Sequence, residues 1–257
     1  MNRIQKVNRS NKDFVISCLK KNIVMNAFTL YDLQYDEAFT EMYFSVGDDS
    51  IESYILIYKR LKYPSVFIEG KVARVKDLLE QIHFSKMIMH VPPEFLPHIK
   101  QEYPHANTYK EEWMLIQRNH LSLVEKGNVR KLELKDESKL ASLLPERLHQ
   151  EDFAEVLQHF SVYGAFVKNK LVSTARSLIQ LPEIWVIGGI YTHPKYRNQG
   201  FGTQTTHAIT KKGLEKARFV SLFVRSDNYS ALRVYEKIGY EKIGNKIWVD
   251  IRTGMKP

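Results

Sequence analysis

The chain has 257 residues, 44% hydrophobic and 26% charged, which is ordinary for a soluble protein of one large domain or two of usual size. No apolar run is long enough to span a bilayer, and the start, MNRIQKVNRSNKDF, lacks the apolar core of a secretory signal. The net charge of +9 favours an anionic partner, either nucleic acid or a phosphate-rich small molecule.

Cys18 is the only cysteine, which excludes an internal disulfide. The histidines show no metal-ligand spacing such as His-x-x-x-His, so no metal is expected. Cytoplasmic location is the default expectation.

In chain order, Asn11–Leu33 reads as two helices, then Ala38–Val46, Ser53–Lys59 and Ser65–Ile68 as three strands. Val72–Ile82 reads as a helix, Lys86–His90 as a strand, Glu94–Gln101 as a helix and Glu112–Gln117 as a last strand. The dense aromatics Tyr31, Tyr35, Phe39, Tyr43 and Phe44 suit core packing or the lining of a pocket. His120–Asn128 is polar and contains Gly127, which makes it the expected junction of two domains, 1–124 and 125–257.

The second half repeats a similar order. Val129–Leu134 is a candidate strand, and two helices, Asp136–Leu144 and Glu151–Phe160, flank Pro145. Tyr163–Val167 and Leu171–Gln180 form an expected hairpin, followed by a strand at Ile184–Thr192 that is apolar on both faces. A helix from Gly200 to Ala217, a strand at Phe219–Arg225, a helix after Asn228 and closing strands within Tyr240–Ile251 complete the pattern. In the last helix Ala231, Val234, Tyr235 and Ile238 fall on one face, and Gly239 sits where a left-handed C-terminal residue belongs.

The run IGGIYTHPKYRNQGFGT, residues 187–203, is a strand, a glycine loop and a helix start. Gly200 and Gly202 let the backbone approach a ligand closely, and amides of Asn198, Gln199, Gly200, Phe201, Gly202 and Thr203 converge at a helix N-terminus. The G-x-G-x-x-G of a dinucleotide fold and the Gly-Lys-Ser/Thr of a P-loop are both missing. Gly188 and Gly189 mark a bulge that opens the sheet, leave room for a substrate, or only allow close helix packing.

Arg197-x-x-Gly200-x-Gly202, followed by Asn228-x-x-Ala231-x-x-x-Tyr235-Glu-Lys-x-Gly239-Tyr240, resembles the acetyl-CoA site of the GNAT family of N-acetyltransferases. The resemblance covers about Val129 to Ile251. It implies an α/β (α+β) domain with a splayed mixed sheet and direct transfer of an acetyl group from acetyl-CoA to an amine acceptor. Ile190, Tyr191 and Thr192 would pair with the pantetheine arm, residues 197–203 would hold the pyrophosphate, and Asn228 would reach the cofactor's amides.

Tyr235 also belongs to the apolar stripe, so core packing competes with the role the resemblance implies, general acid to the departing thiolate. Many family members place a carboxylate in the strand before the glycine loop. Here Trp185–Thr192 has none, Glu183 stands only at its start, and His149, Glu151, Asp152, Glu155 and His159 are the remaining candidate bases.

The first half has no matching motif; at the corresponding place it reads IEGKVARVKD with Gly70 alone. A tandem arrangement with a degenerate first copy is the favoured expectation, against an unrelated N-terminal domain. The alternative to an enzyme is a non-catalytic acetyl-CoA-binding sensor or assembly subunit. No recognisable motif supports nucleic acid as partner.

Overall fold

The computed structural model describes residues 3–124, 127–147 and 152–251. The chain divides into two compact units, one of Met1–Glu112 with Gly244–Pro257 and one of Trp113–Ile243. The sequence reading places the division between residues 124 and 125. The unit boundaries fall at 112/113 and 243/244, and the last segment of chain belongs with the first unit.

The first unit opens with β1 (Gln5–Lys6), α1 (Lys12–Lys20) and α2 (Ile23–Tyr35). Val15 and Leu19, one turn apart, bury the inner face of α1, and Ala27, Leu30 and Leu33 do so for α2. Next come β2 (Thr40–Gly47) and β3 (Ser50–Tyr58). Their two-residue loop, Asp48 and Asp49, has both φ angles positive, as a tight hairpin turn requires. β4 (Ser65–Glu69), α3 (Val75–Leu79), β5 (Ile88–Val91), α4 (Leu96–Glu102) and β6 (Asn107–Gln117) follow, β6 running on into the second unit.

The helix expected over Val72–Ile82 is a short 3-10 turn, Val72–Arg74, followed by only five α-helical residues. β4 pairs parallel with β5 over Ser65–Phe67 and Ile88–His90. Ile55, Ile57, Val66, Ile68, Leu78 and Met89 form the core of this unit. Of the five aromatics singled out in the sequence, Phe44 is fully buried, while Tyr35 and Phe39 are exposed.

The second unit contains β7 (Val129–Lys131), α5 (Glu137–Leu143), α6 (Phe153–His159), β8 (Val162–Val167) and β9 (Lys170–Gln180). β10 (Ile184–Thr192), α7 (Phe201–Lys216), β11 (Phe219–Arg225), α8 (Tyr229–Ile238) and the start of β12 (Glu241–Asp250) complete it. The rest of β12 pairs antiparallel with β5 in the first unit, Ile247 opposite Val91 and Asp250 opposite Ile88.

In the second unit the strand order is β6-β11-β10-β9-β8-β7. β10 and β11 are parallel, while β10 with β9, β9 with β8 and β8 with β7 are antiparallel. One core cluster joins the sheet to α7 and α8 through Ala175, Trp185, Ile187, Ile209, Leu214 and Leu232. Another joins it to α5 and α6 through Leu132, Leu140, Phe153, Val156, Val162 and Phe166.

Asp136, fully buried, closes a capping box with Glu133 around the 3-10 turn Leu134–Asp136 that leads into α5. Its carboxylate accepts two hydrogen bonds from the Arg130 guanidinium at 2.6 and 2.7 Å and one from the Glu133 amide at 3.1 Å. The guanidinium holds this carboxyl well below the usual carboxylate range.

The two halves of the chain, 5–117 and 129–250, therefore run through the same order of elements, a strand and two helices, three strands, a helix, a strand, a helix and a long strand. No helix among the described residues is long and apolar enough to cross a membrane.

Candidate acyl-transfer site

β10 and β11 pair only at Ile184–Phe219, Trp185–Val220 and Val186–Ser221. Beyond Val186 the parallel ladder stops, and the sheet splays. The edge of β10 over Ile187–Thr192 that faced β11 is left with backbone donors and acceptors for an extended ligand.

The other edge of β10 stays paired with β9, with a register shift between Gly188 and Tyr191. Gly189 lies inside that shift at φ +58°, so the bulge expected from the glycine pair is present. Beyond it Ile190 packs toward the α7 side and Tyr191 toward the α5 and α6 side.

Thr192 ends the strand. Ser173 Oγ donates to the Tyr191 carbonyl at 3.0 Å, which leaves the Thr192 hydroxyl to donate to Ser173 Oγ at 2.9 Å. His193 accepts from the Lys195 amide at 3.3 Å, and Pro194 begins a short 3-10 turn. Arg197 Nε donates to the Thr192 carbonyl at 3.2 Å, folding the loop back on the strand end.

The loop from Arg197 to Gly200 is exposed, and Asn198 and Gly200 are left-handed at φ +60° and +83°. Gly200 is the N-cap of α7 and offers no side chain to the amides of the first turn. The first backbone bond across this turn runs from the Gln204 amide to the Gly200 carbonyl at 2.9 Å. The amides of Phe201, Gly202 and Thr203 are therefore the open donors of a helix N-terminus, carrying its partial positive charge. Gln199 turns its side chain to the Lys195 carbonyl at 3.1 Å. This cradle of open amides suits an anionic group such as a pyrophosphate.

The basic residues Lys211, Lys212, Lys216 and Arg218 are not part of that cradle. Lys211 lies ten residues along α7, about 15 Å from its start at the usual rise. Lys212 pairs with Glu215 at 3.0 Å.

Asn228 is the N-cap of α8; its Oδ1 accepts from the Ala231 amide at 3.2 Å and from Ser230 Oγ at 3.0 Å. That bonding leaves only its Nδ2 to give to a ligand. Gly239 ends α8 at φ +112° and presses against the His120 carbonyl, so no other residue fits there.

Tyr235 is buried, 6% exposed, among Ile187, Ile209 and Ile238. Burial pushes its phenol up to about 12. Its neighbour Tyr240, ring centroids 6.1 Å apart, donates to Thr210 Oγ1 at 2.8 Å, because Thr210 already donates to the Thr206 carbonyl. Tyr235 thus stays protonated throughout the neutral range and packs in the core cluster between the sheet, α7 and α8.

Among the candidate bases, Asp152 caps α6 by accepting from the Glu155 amide at 3.1 Å. His159 Nδ1 lies 3.0 Å from the Glu155 carbonyl in the last turn, and Glu183 is exposed at the head of β10. His149 and Glu151 lie outside the described residues. Among the described residues no group of three or more His, Cys, Asp and Glu side chains is placed to hold a metal ion.

Sequence reading missed Arg176 and Gln204. Gln204 stands one turn into α7, its side-chain oxygen against Gly127. Arg176 is a single charge inside the apolar run LVSTARSLIQ, a signal the strand assignment passed over. It borders a pocket with Thr174, Gly189, Leu140, Phe153 and Val156.

In the first unit, Gly70 follows β4 as Gly200 follows β10, but for another reason. A Cβ there would strike the backbone of Glu52 and Ser53, and the Lys71 amide already donates to Ser53 Oγ at 2.9 Å. This loop is packed on β3, without the open turn seen in the second unit.

Residues 162–249 match the family model described as FR47-like protein. A Drosophila protein solved by a structural genomics consortium is similar over 97% of this chain and 98% of its own, with a TM-score of 0.75 and 13% identity. A GCN5-related N-acetyltransferase from Sphaerobacter thermophilus is similar over 99% of this chain and 97% of its own, at 0.67 and 12%. A tandem GNAT protein of clavulanic acid biosynthesis covers 99% of this chain and 100% of its own, at 0.54 and 10%. No curated protein matches the sequence. The fold is the GNAT acyltransferase fold with a splayed mixed sheet, and its neighbours include a tandem GNAT protein.

Proposed function

We propose that the protein is an acetyl-CoA-dependent N-acetyltransferase whose transfer site lies in the second unit. The observation that carries this reading is the end of the parallel ladder at Val186 beside a helix N-terminus with three open amides, at Phe201, Gly202 and Thr203. Acetyl-CoA supplies the acetyl group as a reactive thioester. The loop at 197–203 holds its pyrophosphate, and the free edge at Ile190–Thr192 pairs with its amide-bearing arm. Asn228 Nδ2 is the side-chain donor for the same arm.

In the reaction the neutral amine nitrogen bonds to the acyl carbon and the carbon–sulfur bond breaks. The amine gives up one proton, and the departing sulfur takes one. Tyr235, protonated and shielded from water, is the donor to sulfur. The backbone at the Gly189 bulge supports the carbonyl oxygen as charge gathers there. The first unit, whose loop at Gly70 is filled, is a degenerate copy that binds no cofactor.

The test is release of free CoA thiol from acetyl-CoA when amines are added to the purified protein. Amine-dependent release supports the transferase. Acetyl-CoA binding with no release for any amine supports a sensor or assembly subunit.

A further inference from the structure

Much of the positive charge in the second unit stands away from the glycine loop. Lys211, Lys212 and Lys216 lie in the second half of α7, and Arg218 just beyond its end. The 16 residues of α7 put that end about 24 Å from the open amides of the first turn, at the usual rise.

A groove opens there, lined entirely by residues of the second unit. It holds about 520 Å³, within the roughly 300–1,000 Å³ usual for ligand sites. Leu214 and Ala217 supply its apolar lining, and Gln117, Arg118, Asn119 and Arg218 its polar groups.

Local structure sets the two arginines on it. β6 ends at Gln117, and Arg118–His120 is a 3-10 turn. Arg118 Nη2 donates to the Leu214 carbonyl at 2.5 Å, which ties that turn to the last turn of α7. The Ala217 amide closes the helix on the Gly213 carbonyl at 2.8 Å, and the chain leaves in extended conformation, carrying Arg218 into the groove. The Arg218 guanidinium lies over the Phe219 ring, 4.8 Å from its centroid.

Arg118 and Arg218 are both exposed, and neither has a carboxylate partner among the described residues. No acidic side chain lines the groove. Lys211, one turn before Leu214, and Lys216 are exposed as well, while the nearby Glu215 is engaged by Lys212 at 3.0 Å. The groove therefore carries uncompensated positive charge.

Its other groups narrow the partner. Guanidinium forks match carboxylates, and the Gln117 and Asn119 amides donate and accept as a peptide backbone does. Leu214 and Ala217 suit an apolar side chain. The C-terminal end of α7 carries partial negative charge, which disfavours a continuous chain of phosphates and favours N–H donors. No aromatic ring lines the groove for a base to stack on.

We propose that this groove docks an acidic peptide segment of a partner protein, with carboxylates on Arg118 and Arg218.

The experiment is fluorescence anisotropy with a short labelled peptide of alternating Glu and Leu, its counterpart with Gln for Glu, and a short labelled oligothymidylate. The proteins are the wild type, Arg118→Gln, Arg218→Gln, the double variant and Lys131→Gln. The last removes one charge from β7, at the opposite end of this unit's strand order. The Glu peptide is expected to bind about tenfold tighter than the Gln peptide. Each arginine variant is expected to weaken it about threefold, the worth of a partly exposed ion pair, and the double variant about tenfold. Lys131→Gln and saturating acetyl-CoA are expected to leave binding unchanged.

Equal binding of the Glu and Gln peptides, or as large a loss in Lys131→Gln as in Arg218→Gln, overturns the assignment, net charge alone then being the cause. Tighter binding of the oligothymidylate overturns the peptide in favour of nucleic acid. Displacement of the peptide by acetyl-CoA places it on the glycine loop and overturns the groove. Failure of the folded wild type to bind the Glu peptide at low salt overturns the proposal outright. If Arg118→Gln loses stability with its tie to α7, Arg218→Gln decides.

Discussion

A Cβ on Gly202 would stand 3.0 Å from Thr192 Oγ1, so the first turn of α7 presses against the last residue of β10. Thr192 is itself held by Ser173 and by Arg197, which bonds its carbonyl. The strand end and the helix N-terminus thus form one rigid corner, and Gly202 is a glycine because that corner is tight.

Gly202→Val would push the first turn off Thr192 and misplace the amides of residues 201–203. We expect acetyl-CoA affinity to fall by about tenfold or more, since each hydrogen bond to a charged phosphate is worth about 1.5–3 kcal/mol. Titration calorimetry on a variant that still melts cooperatively checks this; unchanged affinity removes the corner from the site.

Tyr235→Phe keeps the ring in the core and removes only the hydroxyl. General acid catalysis contributes about a hundredfold or more. We expect kcat to fall by at least that factor with acetyl-CoA affinity nearly unchanged, measured by steady-state kinetics and calorimetry. Full turnover in the variant contradicts the role. The phenol is held at about 12, so ionisation of Tyr235 is not expected to limit activity at neutral pH.

Asp32 in α2 is buried, and burial, reinforced by the nearby Asp36 charge, pushes its carboxyl up to about 8. The unfolded value is about 3.9. Between these values the folded state holds the proton and the unfolded state does not, so stability falls as pH rises from about 4 to about 8. Asp32→Asn is expected to raise the first unit's unfolding free energy at pH 7–8 by about 1–4 kcal/mol, read from urea denaturation, with little change near pH 4. A variant equally or less stable than wild type at pH 8 contradicts this.

Asp136 shows the opposite sign. Its carboxyl is depressed, first by the Arg130 hydrogen bonds, so its stabilisation is present above about pH 4 and is lost as pH falls further. Asp136→Ala is expected to destabilise the second unit by about 1–3 kcal/mol at pH 7, a hydrogen-bonded charge having been removed. The deficit shrinks in acid. Urea denaturation at pH 7 and below pH 3 checks both statements.

β10 and β11 were legible to the residue, because Glu183, His193-Pro194 and Asp227 bound two strongly apolar runs. The glycine loop and the C-terminal Gly239 were legible because backbone conformation dictates them. β6 was read five residues short, since its first half, Asn107–Glu111, is polar and its pairing partners are distant in sequence. The same cause hid the membership of Gly244–Pro257 in the first unit, which depends on β12 meeting β5. The start of α8 was legible because Asp227, Asn228 and Ser230 are all capping types, and Asn228 takes the role. The approach of Arg176 to Gly189 was not legible, because only the fold brings that side chain over the bulge.

The central claim is that the corner between β10 and α7 binds acetyl-CoA. Its most direct test is thermal unfolding of the purified protein, freed of co-purified CoA, with and without saturating acetyl-CoA. Gly200→Asp, which sets a carboxylate at the open amides, serves as the control. A ligand at a hundredfold excess over its dissociation constant stabilises the folded state by about 2.7 kcal/mol. The account predicts a clear upward shift for the wild type and a much smaller one for Gly200→Asp. An unshifted wild type, or an equal shift in Gly200→Asp, would contradict it.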